Sequence, residues 1–547
     1  MNIIGIGALT HDSGAALIKD GKIKIAVNEE RFNRIKLSGG FPEFSLDYIL
    51  KNIKKDDVNK IVFSDLGEKE FSKRSKNLLL NPYLFSSNIP MSLRTWAIMA
   101  RWKLKTHSLF KKQQNLLKEK YGEKFIKVEH HATHAATAHI TSGINKNLII
   151  TTDNHGDFLT TTTYVGENNK LEKVNEVKWP HSPGFFYAIV TKALGFRQWR
   201  HEGKITGLAA YGNPNSPVYD KIKKLMWYEN GTIKTRSLIG SDNYVKNLAK
   251  KYSREDMAAV FQRIFEEVIG SYIKNYMDQT GMKNIALAGG AFANVKLNQR
   301  VKELGAENIF IHPHMGDGGT GVGAAIHESL TENIKPYQMS NVYFGPDYSD
   351  KEIKEELEKT NTKYECHKDI EYQTAELLAK GKVVARFNGA MEYGPRALGN
   401  RSILYQATDP TVNDWLNEKL KRTEFMPFAP VTLEKYGPKS YKNLKGAEYT
   451  AKFMTICFNA TDYLKETCPA IVHVDGTARP QLINEKDNLS YFKIVDEYRK
   501  ITQLPTIINT SFNMHEEPIV CTPADAIRSF KQGHLDYLAM GNYLIKN

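Results

Sequence analysis

The chain has 547 residues, 41% of them apolar and 25% charged, and a formal net charge of +14. This is ordinary globular composition for about three or four compact units, which excludes a mostly disordered chain. No run approaches the roughly 18 uncharged apolar residues of a membrane span, no signal peptide is expected from the first nine residues, and four cysteines without a CxxC pair argue against a disulfide scaffold or cysteine zinc finger and for a reducing, cytoplasmic compartment.

In chain order, Ile3–Gly7, Ala15–Ile18 and Ile23–Val27 are expected strands, the last two joined by the hairpin signal Asp20-Gly21. The loop between the first two carries His11 and Asp12. Residues 69–127 concentrate the charge, with 14 Lys/Arg against 3 Glu, or +11 of the chain's +14. The bulky residues interleaved there predict a helical insertion with one core face and one solvated basic face. A sharper use of such a face is as a platform for an anionic acceptor, such as a nucleotide sugar, a lipid-linked sugar or a membrane surface. Nucleic acid would be drawn to it as well, but no recognisable RNA- or DNA-binding motif accompanies it.

His130, His131, His134 and His139 lie within ten residues. His130 and His134 are spaced i, i+4, which puts them on one helix face at a spacing that suits a transition metal. His131 stands where an HExxH metalloprotease has its glutamate, so a zinc protease is disfavoured. Two acids could complete a metal site. Asp153 follows the expected strand Leu148–Thr152, and Asp317 lies in the glycine loop 316–321 after the expected strand Asn308–Ile311. A third strand, Ile285–Ala288, runs into Gly289-Gly290. Strand, glycine-and-acid loop, then helix is how α/β proteins hold a ligand at strand ends. A partly exposed polar helix would show the same histidine spacing with no metal. Between these elements, Gly203 and Gly207 are spaced to admit either a ligand or a close helix. A domain boundary is expected at 333–339, around Pro336.

In the C-terminal part, Arg396 and Arg401 flank a Pro395/Gly399 turn. Two arginines beside glycine-rich backbone form an anion cradle, because guanidinium grips phosphate in bidentate fashion. Lys421, Arg422 and Arg479 add positive charge, and Asn509 to Asn513 supply short polar groups. The sum is a site for a strongly anionic ligand, such as a nucleotide or an acyl phosphate.

Ten ordered motifs carry a family resemblance: HDSGAAL (11–17), EERFNRIK (29–36), HHATH (130–134), HEGKITGLAAYG (201–212), ALAGGAFANVKLN (286–298), MGDGGTGVGAA (315–325), MEYGPRALGNRSI (391–403), MPFAP (426–430), DGTARPQ (475–481), and NTSFN with EEPIVCTPADAI (509–527). Over nearly its whole length the chain resembles the O-carbamoyltransferases that include nodulation-factor and antibiotic carbamoyltransferases. The resemblance implies an α/β fold in two domains. Residues 1–335 would form an actin-like ATPase-related, duplicated α/β domain similar to the tRNA threonylcarbamoyl-transferase fold. Residues 340–547 would form a YrdC-like α/β domain.

The implied chemistry has two steps. The C-terminal domain makes carbamoyl-adenylate from carbamoyl phosphate and ATP. The N-terminal domain passes the carbamoyl group to a hydroxyl of a sugar or secondary metabolite. By the same resemblance His130, His134, Asp153 and Asp317 match metal ligands, with iron(II) or another divalent transition metal implied. His11 matches a general base, and Lys36 an active-site lysine near the N-terminal-domain ligand. Arg396, Arg422 and Arg479 match groups that bind carbamoyl phosphate and the adenylate, with Asn509 and Asn513 in a polar loop beside them. The chain departs from many relatives in having Met426 rather than a second arginine before PFAP, and GGAFAN rather than GGVALN. A tRNA acceptor on the same fold is the alternative, and the basic segment would serve it. As partners, a homodimer and peripheral contact with an anionic membrane or lipid-linked acceptor stand as options; DNA does not.

Overall fold

Asp20 and Gly21 both adopt positive φ (51° and 74°). That is the mirror-image turn whose twist matches a tight antiparallel hairpin, and it joins β2 (Gly14–Lys19) to β3 (Lys22–Asn28). The computed structural model describes residues 1–8, 11–65, 111–236, 241–421 and 427–547. They fall into two compact units. The first comprises Met1–Glu29 and Leu37–Gln338, the second Glu30–Lys36 and Met339–Asn547.

In the first unit, β1 (Asn2–Gly7) pairs antiparallel with β2 and parallel with β4 (Lys60–Ser64), which pairs in parallel with β5 (Phe125–Val128). The sheet order is β3-β2-β1-β4-β5. A second sheet repeats this plan. β6 (Lys146–Gly156), β7 (Leu159–Glu167) and β8 (Lys170–Lys178) form the antiparallel meander. After a short hairpin of β9 (Met226–Glu229) and β10 (Thr232–Thr235), β11 (Asn284–Ala288) and β12 (Asn308–Ile311) extend the second sheet in parallel, giving the order β12-β11-β6-β7-β8. This is the duplicated α/β arrangement that the resemblance implies. The helix Thr320–Ser329 lies hard against β1, and a Cβ on Gly5 would stand 1.8 Å from the carbonyl oxygen of Gly321. Only glycine permits that approach.

The expected strands are all present, but β6 runs past Asp153 to Gly156, with an irregularity in its register between Thr152 and Gly156. Of the basic insertion 69–127, residues 69–110 lie outside the described residues. Residues 111–121 are helical, and Leu117 and Tyr121 bury against Ile4, Ile6 and Ile61.

The second unit is built on one mixed eight-stranded sheet. Its strands are β13 (Glu365–Cys366), β14 (Val384–Phe387), β15 (Arg401–Gln406), β16 (Ala429–Leu433), β19 (Gln481–Ile483), β20 (Thr506–Ser511), β21 (Tyr537–Met540) and β22 (Tyr543–Lys546). A small separate ladder joins β17 (Phe458–Asn459) to β18 (Thr477–Ala478). The helices Ile370–Ala379 and Leu489–Thr502 supply Leu378, Ile494, Val495 and Tyr498 to a core closed by Val384, Leu404 and Ile507 of the sheet. Residues 30–36, which follow β3 in sequence, also belong to this unit, and Phe32 packs against Met391, Ala397, Ile519 and Cys521. Among the described residues no helix is long and apolar enough to cross a membrane, and none of the four cysteines is in a disulfide.

Candidate functional site

The helix His130–Ile140 starts on Glu129, whose carboxylate accepts from the backbone N–H groups of His131 and Ala132. An acid there also suits the positive end of the helix. Its first turn is pinned further by the His130 N–H, which donates to Asp157. A Cβ on Gly156 would fall 1.9 Å from the His130 ring, so the strand can pass under the imidazole only as glycine. His131 turns the other way and holds Thr151 Oγ1 at 2.7 Å.

The i, i+4 pair therefore presents two Nε2 atoms 3.2 Å apart. Asp153 and Asp317 meet them. His134 Nε2 is 3.4 Å from Asp153 Oδ2 and 3.7 Å from Asp317 Oδ1, and His130 Nε2 is 3.8 and 3.5 Å from the same two oxygens. All four ligand atoms lie within 4.8 Å of one another. Asp153 is steadied by N–H donors from Asn154 and Gly290, which gives the Gly289-Gly290 turn its purpose.

These residues fit a metal ion. Nitrogen and oxygen ligands about 2.1 Å from a common ion stand roughly 3.0–3.4 Å apart, close to the separations seen, which are too long for direct hydrogen bonds between most of these pairs. Asp317 Oδ1 is buried with no hydrogen-bond partner, which costs free energy unless a cation or donor meets it. Two imidazoles with two carboxylates suit iron, zinc or manganese alike and leave the metal's identity open.

The electrostatics agree. Burial disfavours charge on His130, but Asp317, then Asp153 and Asp157, outweigh it and raise its pKa to about 9. Asp153 is likewise opposed by burial and held well below the usual carboxylate range by His130 and His134. His131, buried and beside two other imidazoles, is pushed well below its ordinary value. A metal must therefore displace a proton from the His130 region. Below pH 9 that proton competes, so apparent metal affinity should rise about tenfold per pH unit between pH 6 and 8 and level off above about 9. Cobalt(II) titrations followed by absorbance would show this; an affinity flat across that range would contradict it.

His11 stands at the open edge of the cluster. Its side chain is 42% exposed, and Nε2 is 3.6 Å from Asp317 Oδ2. The next residue, Asp12, has φ 57° and accepts from Asn28 Nδ2, while Asn28 Oδ1 meets His314 Nε2 at 3.0 Å. This Asp12–Asn28–His314 relay was not legible in sequence. Burial raises the pKa of the Glu202 carboxyl. Lys36, expected beside the N-terminal-domain ligand, is half-buried at the end of the segment that belongs to the second unit.

In the second unit, Arg396 is half-buried on the loop between β14 and β15. Glu392 holds that loop, with Oε1 accepting from the backbone N–H groups of Leu398, Asn400 and Arg401. Gln481 Nε2 donates to Leu398 O, and Asn509 Nδ2 donates to Ala397 O and Gln481 Oε1. Arg396 and Arg479 thus flank one buried network by one and two residues. Asn509 Oδ1 is buried without a hydrogen-bond partner. Asn513 spends its amide on Met514 O and Glu517 O, within its own loop. Arg422 lies outside the described residues.

Arg401 corrects the expected cradle. It is fully buried, gives its guanidinium to the carbonyls of Pro346, Asn388, Gly389 and Asn400, and lies 3.7 Å from the centre of the Phe387 ring. It is a backbone clamp, and its one unpartnered nitrogen, Nε, is itself buried. Arg386, overlooked in sequence, does the same for Gly399 O and Asn400 Oδ1. Gly203 is not needed for close packing, since a Cβ there would meet nothing within 4 Å.

Comparison with known proteins adds the family. A carbamoyltransferase N-terminus model matches residues 2–326 and a carbamoyltransferase C-terminus model matches residues 375–547. The nodulation protein NolNO of Sinorhizobium fredii is 31% identical over 98% of this chain and 79% of its own length. The uncharacterised protein MJ1058 of Methanocaldococcus jannaschii is 31% identical over 100% of this chain and 99% of its own. Among solved structures, the activator of 2-hydroxyisocaproyl-CoA dehydratase from Clostridium difficile covers 61% of this chain and 96% of its own, at 12% identity and a TM-score of 0.35. With both halves matched in order and full-length relatives above 30% identity, the chain belongs to the carbamoyltransferase family and is a transferase.

Proposed function

We propose that the protein is an ATP-dependent O-carbamoyltransferase whose second unit is a YrdC-like activating domain. Carbamoyl phosphate would lose its phosphate to water, and the resulting carbamate oxygen would attack the α-phosphorus of ATP with pyrophosphate leaving, giving carbamoyl-adenylate. Arg396 and Arg479 suit the anions, and the unpartnered Asn509 Oδ1 suits the carbamoyl N–H donors. An acceptor hydroxyl would then attack the carbamoyl carbon and expel AMP. The observation that carries this reading is the convergence of His130, His134, Asp153 and Asp317 with the accessible imidazole of His11 at its edge.

A divalent metal held by the four ligands, iron(II) on the family resemblance, would supply Lewis-acid polarisation of the carbamoyl or phosphate oxygen. His11 would accept the acceptor's hydroxyl proton, with Asp317 Oδ2 orienting the ring. A free alcohol is a poor nucleophile without such a base. The acceptor would be a sugar or secondary metabolite, reached through the basic segment 69–127 as an anionic or lipid-linked molecule, in a reducing cytoplasm.

The test is an ATP–pyrophosphate exchange that depends on carbamoyl phosphate; its absence in the metal-loaded protein would reject the reading. His11→Ala should keep that exchange within about twofold and lose transfer by about 10²–10⁴-fold, the usual contribution of a general base. Equal loss of both would remove His11 from this role. Transfer to tRNA and not to free sugars would replace the acceptor class and leave the activation step standing.

A further inference from the structure

The motif EERFNRIK at 29–36 has so far supplied only Lys36. Its other residues make the most specific contacts in the segment. Arg31 is 4% exposed, pairs with Glu30 at 3.1 Å, and donates from Nη2 to Gly394 O at 2.9 Å. Phe32 packs against Met391 and Ala397. Arg396 is therefore bracketed, with Arg31 holding the carbonyl two residues before it and Phe32 lying against the side chain one residue after it. Pro395, between Gly394 and Arg396, is exposed.

Arg34 works on the other loop. Its Nη1 and Nη2 donate to Ile519 O and Pro518 O, both at 2.8 Å, and its Nε is 3.4 Å from Asp525 Oδ1. Asp525 in turn caps the helix Pro523–Gln532. Asn513 reaches the carbonyl of Glu517 in the same turn.

We propose that Arg31 and Arg34 are positioning residues for the carbamoyl-phosphate site, setting the loop that bears Arg396 and the loop of Asn513 to Ile519. This rests on the reading of Arg396 as an anion ligand. A group that binds a small dianion works only if its own backbone is fixed, and misplacement by about 1 Å can cost about a hundredfold. Neither arginine touches substrate. Each places, through backbone carbonyls, the residues that would.

The experiment measures carbamoyl-phosphate-dependent ATP–pyrophosphate exchange in the full-length protein. Arg31→Ala should raise KM for carbamoyl phosphate about tenfold, and Arg31→Lys, which can still reach Gly394 O, should restore it to within about threefold. Arg34→Ala gives the same readout independently should Arg31→Ala fail to accumulate. A merely structural role would shrink the active fraction and lower kcat while leaving KM in place. If both alanine variants keep KM within about twofold while Arg396→Ala raises it strongly, the proposal is wrong and the site stands. If Arg396→Ala leaves KM unchanged, the site assignment itself has failed.

Discussion

His134→Ala should lower metal affinity by more than about a hundredfold and reduce carbamoyl transfer in step with metal occupancy, while leaving ATP–pyrophosphate exchange within about twofold. Loss of a hydrogen-bond partner behind a metal ligand already costs about 10–100-fold, and this change removes a ligand itself. His134 is the most central of the four, 1% exposed and 3.2–3.7 Å from the ligand atoms of His130, Asp153 and Asp317. Alanine is the best helix former, so the helix should survive. Metal content after dialysis, read beside both activities, decides the matter. Full metal retention would remove His134 from the ligand set. Metal loss with unchanged transfer would leave the ion a structural part only.

Arg396→Ala should lower the exchange reaction by about 10²–10³-fold, or about 2–4 kcal/mol, by analogy with removal of one donor from a site of developing negative charge. The loop itself should persist, because Glu392, Gln481 and Asn509 hold it through its backbone atoms. The loss should therefore appear in the kinetics and not in thermal unfolding. Transfer from chemically supplied carbamoyl-adenylate should be retained, because His11, His130, His134, Asp153 and Asp317 lie in the first unit. An Arg396→Ala protein with normal exchange would end the assignment of this loop to the anion.

The convergence of His130, His134, Asp153 and Asp317 was legible in sequence because its signals are local. An i, i+4 histidine pair fixes two ligands on one helix face, and acids in glycine loops after strands point to the same end of a sheet. The hairpin at Asp20-Gly21 was readable for the same reason. The arginines were not so readable. Arg396 and Arg401 share one motif, and nothing in their neighbours shows which guanidinium is given to carbonyls. The difference is set by Pro346, Asn388 and Gly389, brought up by the fold. Glu392 carries the whole loop on one oxygen, yet a lone acid among glycines gives no such sign in sequence. The Asp12–Asn28–His314 relay spans 286 residues between its last two members, beyond any periodicity.

The membership of residues 30–36 in the second unit has a consequence for biosynthesis. Arg34 and the Ile519 carbonyl it grips are 485 residues apart. At about 5–20 residues per second, a ribosome needs roughly 25–100 s to cover that distance. Throughout that interval Arg34 has been made and Ile519 has not, and Arg31 waits 363 residues for Gly394. The second unit therefore cannot complete its core in order of emergence, and closing this long loop is a late event in maturation. A gene cut at residue 339 to express the C-terminal half would yield a fragment short of Phe32 and both arginines, so its failure to activate carbamoyl phosphate would report a missing piece of its own core.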